Sequence, residues 1–311
     1  MEFLVEVDGN IFEISELVTK ISFTDKLNDG CSKLEFSYID DDLRITNGSV
    51  IRFTYEDIKF YGYVFKNGKN KSKEINITAY DQLRYAKAKD TIVVKDDKVG
   101  SLIQKMCNYF NLKVGVIIGT GYTLPVSIAD DKTWLDILYE AISETLLNTG
   151  RWYSLRDEFG AVSLRDLESL TIPLILGDES LVYDFEYEKS IDEDFYNQIK
   201  LVSDNEKTSK RDAYITKDGN SINKYGLLQY FEVLDKNNNP SQAKSKADML
   251  LSLYNRETET LSLECLGDTR IRAGNSFYAQ IEDIKLDKKL IVNTVTHNFV
   301  PIHTMSLEVM I

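Results

Sequence analysis

Hydrophobic residues at the start of the chain fall in short alternating runs that are typical of β-strands. Between Met1 and about Tyr85 these runs are separated by the turn-forming pairs Asp8-Gly9, Asn47-Gly48 and Asn67-Gly68. The runs read FLVEV, KLEFSYI, SVIRFTY, KFYGYVF and KEINITAY. Because an alternating pattern places one side of each strand in a core, this segment predicts an antiparallel sheet or a small β-barrel.

The hydrophobic period lengthens to that of a helix after Lys89. A first helix is predicted from about Lys98 to Phe110, with the Asp96-Asp97 pair as its N-terminal cap. A second helix is predicted from about Thr133 to Asn148, ended by Gly150. The runs RWYSLR and AVSLRDL then flank a turn, which indicates a hairpin. Together these elements predict a small α+β domain in the middle of the chain.

Strand-like runs return from Thr171 onward and are interrupted by one further helix. Asn239 is suited to cap this helix and Pro240 to occupy its first position. Its apolar residues form one stripe, which we expect to lie across the sheet of the C-terminal part. The stripe consists of Ala243, Ala247, Leu250, Leu251 and Tyr254.

The two strand-rich ends of the chain contain an internal repeat. KLEFSYIDDDLRITNGSVIRFTYED near the start corresponds to TLSLECLGDTRIRAGNSFYAQIEDI near the end. In both, a strand leads through an acidic turn to Leu43–Gly48 or Thr269–Gly274, and a second strand follows the glycine. Gly48 and Gly274 are therefore predicted to adopt a positive φ. The segments that follow also correspond, namely Tyr61–Phe65 with Leu290–Val295 and Glu74–Tyr80 with Met305–Ile311. A repeat this long indicates duplicated domains, whereas chance similarity between hairpins is the alternative.

The charge and the cysteines of the chain argue against several classes of protein. The net charge is -13, with acid dense between Asp178 and Phe195, which argues against a surface that grips nucleic acid. These acidic residues either favour solubility or form a surface along which DNA slides without binding. Cys31, Cys107 and Cys265 lack the spacing of a zinc site and are interpreted as buried thiols of a protein made in a reducing cytoplasm. The sequence also lacks a signal peptide and an apolar run long enough for a membrane span.

Residues suited to catalysis or metal binding are few. His297 and His303 are expected at strand ends or turns, without a third ligand. The run that starts at Asp235 lacks the glycine and the terminal acid of a calcium loop, and Asp40–Asp42 is interpreted as a tight turn. Tyr55, Tyr61 and Tyr63 are interpreted as structural strand residues, with sugar or single-strand stacking as the alternative.

Known catalytic motifs do not appear either. The sequence has no GxSxG, Walker or GxGxxG motif, and the glycine-rich run from Gly115 to Gly121 contains no lysine. A pair of carboxylates for glycoside hydrolysis is defined by spatial separation, which composition does not reveal. We therefore predict no catalytic, cofactor-binding or metal-binding residues and no enzymatic activity.

Several long segments resemble the tail hub family of contractile phage tails. They are KVGSLIQKMCNYFNLKV, DDKTWLDILYEAISETLLNTGRWYSLRDEFGAVSL and an ending with LECLGDTRIRAGNSF and VNTVTHNF. The family includes late control D proteins and the hub subunits of defective-prophage tails, and the resemblance covers nearly the whole chain. DTIVVKDDKVGSLIQKMCNYFNL also resembles LysM-like folds, but it lacks the Asn-rich turn of the modules that bind peptidoglycan.

The resemblance implies a β-rich α+β fold with two related antiparallel β-barrels and a small LysM-like domain between them. The expected domains are residues 1–88, 89–170 and 171–311, the last with one long helix at about 240–254. It implies a homotrimeric structural subunit of the virion or bacteriocin baseplate, assembled in the bacterial cytoplasm. Such a hub is a symmetry adaptor that joins a sixfold tail tube to a threefold central spike in a contractile injection system, with an acidic lumen and with wedge and tape-measure proteins as further partners. A cell-wall-binding module or a peptidoglycan hydrolase component is the alternative.

Overall fold

A computed structural model describes residues 1–39, 42–71, 73–192, 194–205, 210–234 and 240–311. The chain divides into two compact units, of which the first comprises Met1–Glu186 and Leu261–Ile311 and the second Tyr187–Thr260. The predicted boundaries near residues 88 and 170 stay predictions. None of the helices in the described ranges combines the length and the apolar character that a membrane span needs.

Strands dominate the first 94 residues, as the alternating pattern predicts. They are β1 (Glu2–Val7), β2 (Asn10–Glu13), β3 (Val18–Lys26), β4 (Lys33–Tyr38), β5 (Val50–Tyr55), β6 (Ile58–Lys69), β7 (Ile75–Tyr80) and β8 (Lys89–Val94), with a 3-10 helix at Gln82–Lys87. The predicted turn at Asn67-Gly68 is wrong, since both residues pair within β6 and β7. The Asn67 side chain instead donates a hydrogen bond to the Ile45 carbonyl at 3.1 Å, and the chain turns after Asn70.

The middle of the chain has the predicted helices and hairpin. Its elements are α1 (Val99–Phe110), β9 (Val114–Ile117), β10 (Ser127–Thr133), α2 (Trp134–Thr149), β11 (Tyr153–Asp157) and β12 (Val162–Asp166), followed by a 3-10 helix at Leu167–Leu170. Gly150 ends α2, as predicted, and the side chain of Thr133 caps its start. The cap of α1 differs, because Lys98 holds the N-cap position and Asp97 accepts hydrogen bonds from the Ser101 and Lys105 side chains.

The last part of the chain returns to strands. Its elements are β13 (Thr171–Gly177), β14 (Val182–Ser190), β15 (Gln198–Asn205), β16 (Lys210–Lys217), α3 (Gly219–Tyr225), β17 (Gln229–Val233), α4 (Pro240–Tyr254), β18 (Thr258–Leu266), β19 (Ser276–Ile281), β20 (Leu286–Asn298) and β21 (Thr304–Met310). The helix predicted near 240–254 is confirmed as α4. Its predicted cap, Asn239, lies outside the described residues, as do the run from Asp235 and two of the three aspartates at Asp40–Asp42.

One large sheet organises the first unit. Its strands follow the order β14-β18-β21-β20-β3-β4-β7-β6-β5-β1-β2, while β19 pairs with β20 and β13 pairs with β19. A core of aromatic and aliphatic side chains fills the N-terminal half, where Phe3 packs edge-on against Phe36 and Phe53. A second core joins α1 and α2 to the hairpin of β11 and β12. The architecture is thus a β-rich α+β fold with large antiparallel sheets, and the closed barrels and the LysM-like domain stay proposals.

The second unit has a small core of its own. β15 pairs antiparallel with β16 and parallel with β17, which makes a three-stranded sheet. Ala243 and Ala247 of α4 pack against Ile199 and Leu201 of this sheet. The apolar stripe of α4 therefore covers a sheet, as predicted, although that sheet is separate from the large one. The short helix α3, which the sequence pattern does not indicate, is capped by the side chain of Asp218.

The internal repeat is visible in the strand pairing. β4 pairs with β7, β5 with β6 and β6 with β7, and β18, β19, β20 and β21 repeat these antiparallel pairings in the same chain order. A bulge interrupts the pairing after Val64 in the first copy and after Val292 in the second. Two copies of one four-strand motif therefore lie in the first unit.

The turns in the two copies share the same hydrogen bonds. Gly48 N–H donates to the Val64 carbonyl and Gly274 N–H to the Val292 carbonyl, both at 2.8 Å. Val64 N–H and Val292 N–H bond back to the residue after the respective glycine, at 3.0 and 2.9 Å. The glycines have φ of 91° and 84°, which confirms the predicted positive φ.

Gly48→Ala should destabilise the protein by about 1–2 kcal/mol, because a residue with a Cβ adopts positive φ at a cost. No atom lies within 4 Å of the added Cβ, so the strain would come from φ alone. Gly68→Ala is the matched control, since Gly68 is also surrounded by open space but has no positive φ. Urea denaturation measures both variants, and equal stabilities would contradict the conformational requirement at this turn.

Candidate functional site

Two features of the first unit have the chemistry of a functional site. One is a buried cluster of ionisable side chains, here called the charged junction, and the other is an outer surface of aromatic rings, here called the aromatic face. The charged junction consists of Asp25, Asp81, Arg156, Asp157 and Arg272. The aromatic face consists of Arg52, Tyr61, Tyr63, Phe65, Tyr80, Arg84, Tyr85 and Phe159.

The charged junction is centred on Arg272, a residue of the second repeated turn. Its Nε donates to Asp25 Oδ2 on β3 at 2.8 Å, and its Nη1 donates to the Asp157 carbonyl at the end of β11 at 3.1 Å. Ser32 connects the next carboxylate, because its Oγ donates to Asp25 Oδ1 at 2.8 Å and its N–H to Asp81 Oδ2 at 2.7 Å. The junction thus joins the three predicted domains through hydrogen bonds that are buried or half-buried.

Burial and the neighbouring guanidinium groups shift the pKa values of the aspartates in the junction in opposite directions. Burial alone would raise the pKa of Asp25, but the Arg272 and Arg156 guanidinium groups outweigh it and hold that pKa below its ordinary value. Burial raises the pKa of Asp157 to about 6, and it raises the pKa of Asp81 well above its ordinary value with the help of the nearby Asp157 charge. The junction therefore contains two carboxyl groups that lose their protons at a higher pH than an ordinary aspartate does.

A pair of perturbed carboxylates also suits a hydrolase, which is the alternative that the sequence left open. Asp81 and Asp157 are 1% and 4% exposed, however, and backbone N–H groups of Leu83 and Gly160 donate to them. A catalytic acid must reach its substrate, whereas these groups are sealed between packed elements. Their geometry supports a structural role.

His297 and His303 form a contact that the sequence did not predict. His297 lies in β20 and is buried, and its Nε2 faces the Ile271 carbonyl of the second repeated turn at 2.9 Å. Since a carbonyl only accepts, this nitrogen donates, and His297 Nδ1 then accepts from His303 Nε2 at 3.0 Å. Burial lowers the pKa of His297 to about 4. Both ring nitrogens of His297 thus hold the turn and the next loop in place.

Few of the described residues are suited to bind a metal ion or to react as a thiol. In the described ranges, no group of three or more His, Cys, Asp or Glu side chains is placed to hold a metal ion. The three cysteines are free thiols, with Cys107 and Cys265 buried and Cys31 only half-buried. Burial raises the pKa of Cys107 to about 11, which disfavours the reactive thiolate. The predicted absence of catalytic, cofactor and metal residues stays a prediction.

The aromatic face lies on the side of β5 and β6 that faces away from the core. Tyr61 contacts Phe159 and Tyr63, and Tyr63 contacts Tyr85, with ring centroids 5.8–6.3 Å apart. Phe65 continues the row, at 5.8 Å from Tyr85. These ring pairs are structural contacts, as expected for strand tyrosines, yet Tyr85 and Phe159 remain 40% and 41% exposed.

Tyr55, which the sequence grouped with Tyr61 and Tyr63, lies elsewhere. Its ring packs 4.9 Å from Phe299 and 5.3 Å from His303. The structure therefore divides the predicted tyrosine cluster between the aromatic face and the loop after β20.

The fold is that of phage tail proteins. The crystal structure of the 43 kDa tail protein of prophage MuSo2 from Shewanella oneidensis superposes with a TM-score of 0.73 and 12% identity, over 100% of this chain and 98% of that one. The E. coli c3393 protein has a TM-score of 0.58 and 9% identity, over 98% of this chain and 76% of that one. It is described as a type VI secretion component that is structurally similar to the T4 tail proteins gp27 and gp5.

Residues 21–310 match the model of the YQBQ-like family, and the chain belongs to this family. XkdQ, a protein of the phage-like element PBSX of Bacillus subtilis, is 27% identical over 270 residues, which is 85% of this chain and 82% of XkdQ. The resemblance to phage tail proteins found in the sequence is thus confirmed at the level of family and fold.

Arg272→Met should lower the free energy of unfolding by about 3–5 kcal/mol, because it leaves the buried Asp25 carboxylate without its partner. Arg270→Met is the control from the same turn, where the ion pair with Asp268 is exposed and screened by solvent and therefore contributes little. Urea denaturation at pH 7 compares the two. A similar small loss for both variants would show that the junction does not stabilise the fold.

Asp157→Asn changes the free energy of unfolding by an amount that should depend on pH. The difference between variant and wild type should be more favourable to the variant at pH 8 than at pH 4, by about 1–3 kcal/mol. The folded pKa of Asp157, about 6, lies above the unfolded value of about 3.8, so its contribution is fully present below pH 3.8 and is lost as the pH rises through 6. The asparagine does not ionise and lacks this loss. Denaturation of variant and wild type at both pH values gives the difference, and a pH-independent difference would contradict the raised pKa.

Proposed function

We propose that this protein is a structural hub subunit of a phage-type baseplate, which joins the hexameric tail tube to the trimeric central spike. In this proposal it acts as a homotrimer in the virion tail or in a tail-like bacteriocin. Its direct partners are the tail tube and spike proteins, with wedge and tape-measure proteins nearby. The proposal includes no enzymatic role.

The observation that carries the proposal is the duplicated four-strand motif. Three copies of a chain with two equivalent motifs present six similar units around an axis, while the whole assembly keeps threefold symmetry. A ring of this kind contacts a sixfold partner on one side and a threefold partner on the other. The matching turn bonds at Gly48 and Gly274 support the equivalence of the two motifs.

The comparisons support the same assignment from a different direction. XkdQ belongs to a phage-like element, and the MuSo2 protein is a tail protein. The c3393 protein is described as similar to two T4 tail proteins. Structural relatives with these roles favour a role in assembly over catalysis, and the sealed carboxyl groups of the charged junction agree with it.

Free strand edges offer surfaces for such an assembly. Along the described sheet order, β2 and β14 are the two terminal strands, each paired on one side. An unpaired edge is a common site of association between chains. β2 also exposes Ile11 and Phe12, so burial of this edge in an interface would remove apolar surface from water.

The purified protein should have three times the 35.7 kDa mass of the chain, either alone or after mixing with its spike protein. Multi-angle light scattering across a concentration series measures this mass. A trimer supports the ring of six motifs, and electron microscopy of it should show a ring with pseudo-sixfold features.

A chain that stays monomeric alone and with the spike protein would contradict the hub proposal. The control is a parallel pull-down on purified peptidoglycan with an assay for released sugar. Retention or hydrolysis by a monomer would favour the wall-binding or hydrolase alternative instead.

A further inference from the structure

The aromatic face carries two arginines whose donors are not used by carboxylates. Arg52 Cζ lies 5.8 Å from the centre of the Tyr61 ring and 6.0 Å from that of Phe159, and Arg84 Cζ lies 5.2 Å from that of Phe65. Among the residues that the structure describes, no carboxylate lies within ion-pair distance of either guanidinium group. Each is therefore stacked in place with its hydrogen-bond donors available to another molecule.

A shallow cavity of about 170 Å³ adjoins Arg52 on the same side of the sheet. Its lining consists of Leu4, Glu6, Ile11, Val50, Arg52 and Tyr61. Ile11 is 66% exposed, so the cavity leaves apolar surface in contact with water. Aromatic rings, arginine and an apolar depression are the composition of energetic centres in protein interfaces.

The chain contains a segment of complementary charge on a free sheet edge. β14 ends the described sheet order and pairs only with β18 there. Asp184 and Glu186 project from the same side of β14, about 7 Å apart by strand geometry, and both are exposed. Tyr183, which is 60% exposed, projects from the opposite side of β14 and takes no part in this acidic surface.

We propose that the aromatic face of one copy binds the β14 edge of a second copy, with Arg52 and Arg84 contacting the carboxylates of Asp184 and Glu186. The proposal rests on the homo-oligomeric assembly proposed above and names the surfaces that form it. The two surfaces differ, so the interface is heterologous, and repetition of such an interface closes a ring when the rotation between copies allows it.

Charge favours this occupant over nucleic acid or a glycan. A nucleic-acid surface neutralises several phosphates, whereas this face offers two stacked arginines beside Glu6 in a chain of net charge -13. A neutral glycan would stack on the rings but would leave the guanidinium groups without an anion. An acidic strand supplies carboxylates to both guanidinium groups, and the exposed charges of Asp184 and Glu186 therefore complement this face.

Charge reversal on each side tests the pairing. Arg52→Glu/Arg84→Glu and Asp184→Lys/Glu186→Lys should each weaken self-association about tenfold or more, since each places like charges across the interface. A protein that carries all four substitutions should recover most of the association, because the charges are then exchanged. Sedimentation velocity of the full chain, with its spike protein where that is needed for assembly, gives the dissociation constants.

Lys113→Glu/Lys288→Glu is the control, since it reverses two exposed charges that belong to neither surface. Circular dichroism and thermal unfolding check that each variant is folded, and Arg52→Gln/Arg84→Gln replaces the reversal if it is not. Unchanged association in every variant would overturn this inference while leaving the oligomeric hub intact. Weakened association without recovery in the fourfold variant would overturn β14 as the occupant, and a monomeric wild type would remove the hub proposal and this inference together.

Discussion

The ion pair between Arg272 and Asp25 is the interaction on which the arrangement of the first unit depends. It lies where the second repeated turn, the N-terminal strand β3 and the end of β11 meet, and it is largely removed from solvent. A buried pair is weak evidence for stability as such, because desolvation offsets much of the attraction. Separating these segments would leave the Asp25 carboxylate without its guanidinium partner, so the pair favours the observed arrangement.

A comparison of the two repeated turns shows what the Arg272 side chain adds. Position 272 corresponds to Thr46 in the first copy, where a side chain of Ser49 satisfies the backbone and no ion pair forms. In the second copy the Asn275 side chain accepts the equivalent bond from the Arg272 backbone at 2.7 Å. The backbone scaffold of the turn is thus shared, while the side chain at one position converts a simple turn into a connector between segments.

Local signals in the sequence predicted much of this fold, and long-range contacts were beyond them. Thr133 and Gly150 mark the ends of α2 because caps act within one helical turn. The Asn67-Gly68 pair was misassigned because tertiary pairing overrode a local turn preference. The charged junction was missed because Arg272 and Asp25 lie 247 positions apart, and no periodicity connects residues at that separation. The sequence predicts Tyr61 and Tyr63 of the aromatic face as strand residues, but no motif or spacing in the sequence indicates that Arg52 and Arg84 lie beside them.

The length of β20 has a mechanical consequence. Its thirteen residues pair with β19 at one end and with β21 and β3 at the other. Since β3 in turn pairs with β4, this single strand connects the second copy of the motif to the strand that borders the first. Hydrogen bonds between antiparallel strands lie perpendicular to the strands, so tension along β20 loads many of them at once instead of opening them one after another. Force applied to one half of the sheet would pass to the other through this strand with little extension.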